Sequence, residues 1–461
     1  MSGKKYKVLI INPEDSRSKI SFDNIITNEP LDLEVIYTAL KRNGIECRFY
    51  DFITKEKITL ENTIKQFRPD YVISNGVVHQ IDFVIEYFGL CKKIDKEIKT
   101  IITGSYAEYN YKELFMENVD YISRSLDPSC IVSIIKNKSK KYINGLCYKN
   151  NKKWVCNDIT YFDINNLPIA DRTHFYKNKN KYRYLELIGA CQVRTSFSCP
   201  YNCSFCYRTM LNCSKYSKKD IHKVVEEIEQ IKSDIIYFVD DDFLFDRKRI
   251  ELFIKIIKEK KIRKKYICYG RVDFIIKNED IIKELKQIGF YYILVGLEAV
   301  NNNDLKKYNK LINKDDNVKC VEILNRNNIN CMGMFILDLS YKRKDFVNLY
   351  RWIKDNKLKH VALSIFTPLP GTKEYKNYKN KILINDLSKW DYMHVVAKPN
   401  SMSARLFYFY YVILVIKLFK LANKYKIYNF VDYKSFALEF LKQVFKKWKI
   451  YTLYYQGQKL L

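Results

Sequence analysis

Short apolar runs alternate with helical patterns along the amino-terminal part of the chain. Apolar runs typical of buried strands stand at residues 7–11, 47–52, 71–74, 100–103 and 119–123. Apolar residues at helical spacing predict helices over residues 32–42, over 81–94 and from 129 onward. Because strands and helices take turns, we expect residues 1–140 to form a Rossmann-like, doubly wound parallel sheet. Ligands of such sheets bind beyond the carboxyl ends of the strands.

The alternation pauses at residues 141–185, which we interpret as a linker with one small hairpin around residues 149–151. It resumes over residues 186–380, with candidate strands at residues 187–195, 235–240, 266–271, 291–296, 330–336 and 361–366. Candidate helices lie between them, at residues 221–231, 247–258, 280–288, 315–327 and 345–356. These repeats predict a partial (β/α)6 barrel of the TIM type, with functional groups at the carboxyl ends of its strands. Residues 381–461 then predict a helical extension.

The composition of the chain shows a strong positive charge and many cysteines. Lysine and arginine number 81 against 52 acidic residues, a formal charge of +29 that is typical of proteins contacting nucleic acid or anionic membranes. The lysines are scattered and form no arginine-rich block, which argues against a nucleic-acid partner. Thirteen cysteines with no signal peptide at the amino terminus indicate a reducing compartment, so we expect a cytoplasmic protein.

Three of these cysteines, Cys199, Cys203 and Cys206, are spaced C-x3-C-x2-C, with Phe205 just before the last one. Three thiolates on one loop can hold three irons of a cubane iron–sulfur cluster, and the fourth iron stays open to a small molecule. A zinc site, a disulfide and three unrelated buried thiols are the alternatives. A closed structural zinc site needs four ligands, and no nearby cysteine or histidine pair completes one at familiar spacing.

The cysteine spacing resembles the signature of the radical SAM superfamily. The resemblance implies that Cys199, Cys203 and Cys206 hold a [4Fe-4S] cluster whose open iron binds the amino and carboxylate groups of S-adenosyl-L-methionine. It implies reductive cleavage of that molecule to a 5′-deoxyadenosyl radical, with an external electron donor of the flavodoxin or ferredoxin type. Phe205 would then pack beside the cluster or the adenine.

Charged residues follow the predicted strands of the barrel, where such a cofactor would bind. By the same resemblance, Asp240 and Asp241 take the place of the contact to the amino group of S-adenosylmethionine. Arg271 would approach its carboxylate or ribose, and Glu298 its ribose hydroxyls. The alternatives are a helix start that favours acidic residues for the aspartates, an ion pair with Asp273 for Arg271, and an ion pair inside the barrel for Glu298.

The first domain is similar in layout to the cobalamin-binding domain that precedes many radical SAM domains. The supporting stretches are residues 30–33, 44–51 and 68–74. Gly76 and Gly104, at strand ends, are the residues we expect to let the backbone approach the ligand closely. The sequence departs from the family pattern after Gly104 and at Arg124, and it lacks the D-x-H-x-x-G motif of cobalamin bound with a histidine below the cobalt. His79 either approaches a corrinoid face or is an ordinary loop histidine.

The carboxyl-terminal extension carries one more candidate and an apolar segment. His394 lies in a segment similar to one that follows the barrel in some members of the family, which implies a proton donor or a substrate contact. The apolar run at residues 406–416 is too short to span a bilayer and predicts a buried helix. Residues 401–461 hold eleven lysines or arginines against two acidic residues, which also favours a helix lying on an anionic membrane.

These motifs together look most like the cobalamin-dependent, class B radical SAM methylases of the hopanoid methylase type. The resemblance implies methylation of an unactivated carbon of a small molecule or lipid through methylcobalamin. A radical SAM cyclase, oxidoreductase or rearrangement enzyme without methyl transfer is the alternative. A basic RNA-binding or tRNA-modifying protein is a third hypothesis, which would leave the charged residues at the strand ends without a purpose.

Overall fold

The first sheet of the chain has seven strands in a computed structural model that describes residues 6–15, 25–54, 57–428, 442, 444 and 448–451. The amino-terminal strands are Lys7–Asn12 (β1), Ile26–Thr27 (β2), Glu46–Asp51 (β3), Tyr71–Asn75 (β4), Lys99–Thr103 (β5), Tyr121–Ser123 (β6), Leu146–Asn150 (β7) and Lys153–Cys156 (β8). The sheet order is β3-β1-β4-β5-β6-β7-β8, and β2 is not part of it. The pairs from β3 to β6 are parallel, and β7 and β8 add an antiparallel edge.

Helices cover both faces of this sheet. They are Leu31–Arg42 (α1), Leu60–Phe67 (α2), Ile81–Ile94 (α3), Ser105–Tyr109 (α4) and Ser129–Ile135 (α5). Alternate residues of β1 enter different cores, Leu9 packing with α2 and α3 and Val8 with α1 and α5. The predicted doubly wound sheet is therefore confirmed. Strand order reverses at β1, and such a switch point opens a crevice at the carboxyl ends of the strands.

The segment expected to be a linker contributes structure to both neighbours. Its hairpin forms as β7 and β8, and β7 pairs with β6, so the hairpin extends the first sheet. The remainder contains Thr173–Lys177 (α6) and Arg183–Tyr184 (β9). Leu187–Ile188 (β10) pairs with β9, which in turn pairs with β2, in a small antiparallel sheet.

The second sheet has six parallel strands in chain order, β11-β14-β15-β16-β17-β18, so β11 and β18 are its edges. The strands from this part of the chain are Ala190–Val193 (β11), Ser196–Phe197 (β12), Ser217–Lys218 (β13), Ile235–Phe238 (β14), Lys265–Gly270 (β15), Phe290–Glu298 (β16), Asn330–Leu337 (β17) and His360–Ile365 (β18). The helices are Ile221–Gln230 (α7), Arg247–Glu259 (α8), Val272–Lys277 (α9), Glu279–Gln287 (α10), Asn302–Lys307 (α11), Lys314–Arg326 (α12), Arg343–Asp355 (α13) and Tyr375–Tyr378 (α14). The α/β class and the strand–helix repeats are as predicted.

The first strand predicted for this sheet was too long. Gly189 divides residues 187–195 into β10 and β11, because its φ of +78° turns the chain in a way that only glycine adopts without strain. A Cβ there would lie 2.6 Å from Cε of Lys179. As a result β10 leaves the sheet and pairs with β9.

The second sheet has an inner and an outer face, set by the alternation of side chains along its strands. Outward-pointing residues such as Phe238 and Phe290 pack against the helices. Inward-pointing residues such as Tyr237, Tyr292 and Leu294 pack together with Tyr184 of β9. We call these two sides the outer and the inner face.

The helix of the extension, Ala404–Lys424 (α15), is longer than the apolar run suggested. Ser403 accepts a hydrogen bond from the backbone N–H of Leu406 and so starts the helix ahead of the run. At 21 residues α15 has the length and composition to cross a membrane, with 33% of its apolar window buried. It packs on α13 through the rings of Phe346 and Phe407, 5.2 Å apart. Most of the helical extension predicted beyond residue 428 lies outside the described residues.

Candidate active site between the two sheets

A cavity of about 640 Å³ lies where the carboxyl ends of both sheets meet. The first sheet contributes Asn12, Asn75 and Thr103, the last residues of β1, β4 and β5. The second contributes the cysteine loop and the ends of β15 and β16. Apart from His394, all of the predicted site residues line this cavity: Gly76, Gly104, Cys199, Cys203, Phe205, Cys206, Asp240, Asp241, Arg271 and Glu298.

Asp240 holds the entrance of the cysteine loop. Its carboxylate accepts hydrogen bonds from the backbone N–H and the hydroxyl of Thr195 and from the backbone N–H of Ser196. Asp240 is only 1% exposed, and both of its oxygens are engaged by the chain. Its contacts therefore position the loop, whereas the sequence suggested a contact to S-adenosylmethionine.

The three thiols on that loop are partly buried and face the same space. Burial raises the pKa of Cys199 and of Cys206 to about 12, and the charge of Asp241 adds to the effect. Among the described residues, no three His, Cys, Asp or Glu side chains converge on a point that could hold a single metal ion. Three thiols on one loop that face one space are the donor set that a cubane cluster with one open iron takes. The ring of Phe205 meets that of Tyr308 edge-on at 5.3 Å.

The three consecutive aspartates at the end of β14 have different environments. Asp241 forms an ion pair with Arg208, whose Nε lies 3.2 Å from its Oδ1. Asp242 is 3% exposed and lines the cavity, yet neither of its oxygens has a hydrogen-bond partner within the described chain. Burial raises the pKa of Asp242 to about 7, against the opposing charge of Arg271. A buried carboxyl without a partner, facing a cavity, fits the amino or hydroxyl groups of a polar ligand.

Sequence reasoning missed Asp242 and Arg208. The run of three aspartates was the available signal, but it was used to assign Asp240 and Asp241. No motif pointed to Arg208.

Arg271 and Glu298 line the cavity and also form the ion pairs that were their alternatives. Nε of Arg271 lies 3.0 Å from Oδ1 of Asp273, and its guanidinium stands 3.5 Å above the ring of Tyr201. Glu298 pairs with Nζ of Lys310 at 2.9 Å. The pairing register shifts between Gly296 and Glu298, and Glu298 takes a φ of +59°, which turns its side chain out of the strand pattern.

The opposite wall of the cavity is formed by the ends of β4 and β5 in the first sheet, where two glycines stand. Gly104 has a φ of +95°, and a Cβ there would lie 3.2 Å from the backbone nitrogen of Gly76. At these two positions the wall has no side chain, so a ligand such as a corrinoid can approach the backbone there. His79 also lines the cavity, with Nε2 3.5 Å from a carboxylate oxygen of Asp15 and its buried Nδ1 without a partner among the described residues.

The short helix that starts at Gly104 also contacts the chain just after the cysteines. Glu108 accepts a hydrogen bond from the backbone N–H of Asn212, and burial raises its pKa to about 8. The rings of Tyr109 and Tyr207 lie 4.7 Å apart. The two walls of the cavity are therefore joined by α4.

His394 lies away from this cavity. It is 1% exposed, and its Nδ1 lies 2.8 Å from Oδ1 of Asp391. The segment that carries it runs beside β18, where the N–H of Ile365 donates to the carbonyl of Tyr392. Nothing in the cavity lining supports the predicted role of His394 as proton donor or substrate contact.

Comparison with protein families identifies the domain that contains most of the second sheet. Residues 193–353 match the model of the radical SAM superfamily. The chain is 25% identical over 394 residues to the hopanoid C-3 methylase of Methylococcus capsulatus, covering 82% of this chain and 74% of that protein. It is 22% identical over 373 residues to an anaerobic magnesium-protoporphyrin IX monomethyl ester cyclase of Cereibacter sphaeroides, covering 77% of this chain and 60% of that one.

Solved structures share the whole arrangement of the two sheets. The cobalamin-dependent S-adenosylmethionine radical enzyme OxsB, with aqua-cobalamin and S-adenosylmethionine bound, superposes with a TM-score of 0.69 at 15% identity, over 89% of this chain and 66% of that one. The radical S-adenosylmethionine methyltransferase TsrM from Kitasatospora setae, with cobalamin and a [4Fe-4S] cluster bound, gives 0.63 at 14% identity, over 80% and 74%. This chain thus has the fold of these enzymes and spans somewhat less than two thirds of OxsB.

Proposed function

Because residues 193–353 form a radical SAM domain, we propose that this chain is a cobalamin-dependent radical SAM methylase acting on an unactivated carbon. The observation that carries the proposal is the single cavity into which both the cysteine loop and the glycine wall of the first sheet open. When bound, the cluster with S-adenosylmethionine supplies a hydrogen-abstracting radical, and methylcobalamin supplies the methyl group. The similarity to hopanoid C-3 methylase, OxsB and TsrM supports both halves.

The residues of this chain bind and place those groups. Cys199, Cys203 and Cys206 would hold the cluster, with the loop fixed by Asp240. Asp242 would receive an amino or hydroxyl group of S-adenosylmethionine, since its oxygens have no partner within the described chain. Asp241, Arg271 and Glu298 form ion pairs on the cysteine-loop side of the cavity. Holding the reacting groups in one cavity contributes to rate by fixing their distance and orientation.

The glycine wall would hold the cobalamin. Gly76 and Gly104 allow the ring to lie against the backbone of β4 and β5 at the switch point of the sheet. The substrate would then lie between this wall and the cysteine loop. The apolar residues Leu126, Phe197 and Leu211 line that region and favour a small molecule or lipid with an apolar part.

The proposal includes a cytoplasmic enzyme that takes its electron from a flavodoxin or ferredoxin. It extends to a peripheral membrane contact through α15, where Leu406 and Phe409 are exposed. A helix with exposed apolar residues in a basic segment suits an anionic lipid surface. Cosedimentation of the protein with anionic vesicles measures this contact.

A second candidate keeps the radical and omits methyl transfer. The similarity to the magnesium-protoporphyrin ester cyclase favours it, because that protein is named for ring closure. The mass of the product separates the two candidates, since methylation adds one carbon and ring closure adds none.

The test is Cys203→Ala in protein reconstituted without oxygen, with Cys156→Ser on the β7–β8 hairpin as the matched control. We expect the first variant to lose the brown absorbance of the cluster and all cleavage of S-adenosylmethionine. The control should keep both, because Cys156 is exposed and lies outside the cavity. The wild-type protein, supplied with methyl-labelled S-adenosylmethionine, cobalamin and a lipid extract, should then give a labelled product. Cleavage of S-adenosylmethionine by Cys203→Ala would refute the assignment.

A further inference from the structure

Five tyrosines form a continuous row from the cavity to the amino ends of the strands of the second sheet. Tyr269 and Tyr237 line the cavity, Tyr184 lies on β9, and Tyr292 and Tyr291 lie near the start of β16. In that order, consecutive ring centroids are 6.2, 5.3, 5.6 and 5.1 Å apart. Tyr184, Tyr237 and Tyr292 are buried, whereas Tyr291 is half-buried at the far end. The row therefore connects the cavity with the protein surface.

The tyrosine-rich composition does not account for this row. The chain has 38 tyrosines and 27 phenylalanines. On β14 and β16 the two types lie on different faces, whereas β15 carries a tyrosine on each face, with Tyr266 on the outer one. On β14 the inner residue is Tyr237 and the outer one is Phe238, and on β16 Tyr292 is inner while Phe290 is outer. A buried hydroxyl is unfavourable unless it is hydrogen-bonded. The inner Tyr237 and Tyr292 are hydrogen-bonded, whereas the hydroxyl of the outer Tyr266 has no partner within the described chain.

The hydroxyls of the row have partners at both ends. Tyr237 donates to the hydroxyl oxygen of Tyr269 at 3.0 Å. Tyr292 donates to the carboxylate of Glu186 at 3.0 and 3.1 Å, and the same carboxylate bonds Tyr291. A phenol loses an electron readily only when its proton can leave at the same time. Glu186 can accept a proton at the surface end of the row. At the other end, Tyr269 faces the cavity and can exchange a proton with solvent.

We propose that this row carries an oxidising equivalent out of the cavity when the radical formed there meets no substrate. The inference rests on the proposed radical SAM function. The O–H bond of a phenol is weaker than a C–H bond of an alkyl group, so an alkyl radical beside Tyr269 takes its hydrogen. The row does not serve to reduce the cluster, because tyrosine gives up an electron but does not accept one at biological potentials.

The transfer balances in atoms and electrons. At the cavity the O–H bond of Tyr269 breaks and a C–H bond forms on the radical. Tyr269 regains an electron through Tyr237 and Tyr184, and a proton from cavity solvent. Tyr292 supplies that electron and gives its proton to Glu186. A low-molecular-weight thiol then restores Tyr292 or Tyr291 by giving up its S–H hydrogen, and two thiyl radicals pair as a disulfide. Glu186 releases its proton to solvent, which balances the proton taken up in the cavity.

The test uses the reconstituted full-length enzyme with S-adenosylmethionine, a chemical reductant and no substrate. Freeze-quenched samples should show a tyrosyl radical by electron paramagnetic resonance, with a narrower signal when the protein contains ring-deuterated tyrosine. In D₂O the 5′-deoxyadenosine formed should carry one deuterium, taken from the exchanged hydroxyl of Tyr269. Tyr269→Phe should lose both signals when each is expressed per 5′-deoxyadenosine formed. Tyr237→Phe should keep the deuterium and leave the radical trapped on Tyr269.

The matched control is Tyr266→Phe, which removes a hydroxyl from the outer face of β15. That hydroxyl has no partner within the described chain, and both signals should stay as in the wild type. Cleavage of S-adenosylmethionine by the wild type with neither a tyrosyl radical nor deuterium would overturn the inference and leave the proposed function standing. Absence of cleavage by the wild type would overturn both.

Discussion

Three adjacent aspartates show how strongly a single residue depends on its surroundings. Asp240 accepts three hydrogen bonds from the start of the cysteine loop, and Asp241 pairs with Arg208. Asp242 has no partner within the described chain, although it is buried as deeply as Asp240. Asp240 and Asp241 are therefore engaged by other residues of the chain, whereas Asp242 lines the cavity without such a contact among the described residues.

Asp242→Asn should make the ligand-free protein more stable at pH 8 and weaken its binding of S-adenosylmethionine. Burial raises the pKa of Asp242 to about 7 from the ordinary 3.8 of an aspartate, so its contribution to stability is complete below pH 3.8 and is lost as the pH rises to about 7. A shift of this size corresponds to on the order of 4 kcal/mol at pH 8, which asparagine would recover. Urea unfolding at pH 5 and pH 8 measures it, and equilibrium dialysis measures binding.

Asp240→Asn is the control, because its amide would face a donor of the loop and should lower stability at both pH values. A loss of stability in Asp242→Asn at pH 8 would mean that the protein itself satisfies this carboxylate.

At the scale of elements, the sequence predicted most of the fold because helical and strand periodicities are strong where one face is buried. The helix predicted at residues 81–94 is α3, with the same ends. The predicted element boundaries are wrong where a single residue overrides the periodicity. Gly189 cuts one predicted strand in two, and Ser403 starts α15 ahead of its apolar run.

The candidate site was predictable only in part. The carboxyl-end rule placed Arg271 and Glu298 at the cavity, and the cysteine spacing marked the loop. The bonds that occupy Asp240 come from Thr195 and Ser196, more than forty residues earlier in the chain. Such long-range contacts are invisible in a single sequence, so the expected contact of Asp240 and Asp241 with S-adenosylmethionine was stated without knowledge of them.

The junction between β5 and α4 gives a prediction at this scale. Gly104→Ala should reduce cobalamin retention, because its Cβ would lie 3.2 Å from the backbone nitrogen of Gly76 on the cavity wall. Gly44→Ala is the matched control, since Gly44 also has a positive φ, of +73°, but has open space around it. Gly44→Ala should lose about 1 kcal/mol of unfolding free energy from backbone strain. Gly104→Ala should lose more, because a φ of +95° with a ψ of −176° is open almost only to glycine. Only Gly104→Ala should elute from gel filtration with less cobalamin, and equal retention in the two variants would contradict the placement of the corrinoid.

At the scale of the whole molecule, the cavity exists only because the two sheets are held with their carboxyl ends facing each other. Arg172, which is 5% exposed, lies at the centre of this contact. Its guanidinium binds Glu29 just before α1, the carbonyl of Gln192 on β11, and Glu227 on α7, where the nitrogen–oxygen distance is 2.9 Å. Lys219 binds the same Glu227 at 2.8 Å. One buried network thus joins the first domain, the linker at residues 141–185 and the second sheet.

Arg172→Met should destabilise the protein by about 3–5 kcal/mol, because it leaves the carboxylates of Glu29 and Glu227 buried without their shared partner. It should also lower cobalamin retention and S-adenosylmethionine cleavage together, because both walls of the cavity depend on the contact. Cys203→Ala, by contrast, should abolish cleavage and leave cobalamin retention unchanged. Chemical unfolding and the two cofactor assays measure these effects. Arg247→Met removes an exposed arginine that pairs with Asp280 and should change none of the three. If Arg172→Met lost stability but kept both cofactor activities, the network would hold the fold without setting the distance between the sheets.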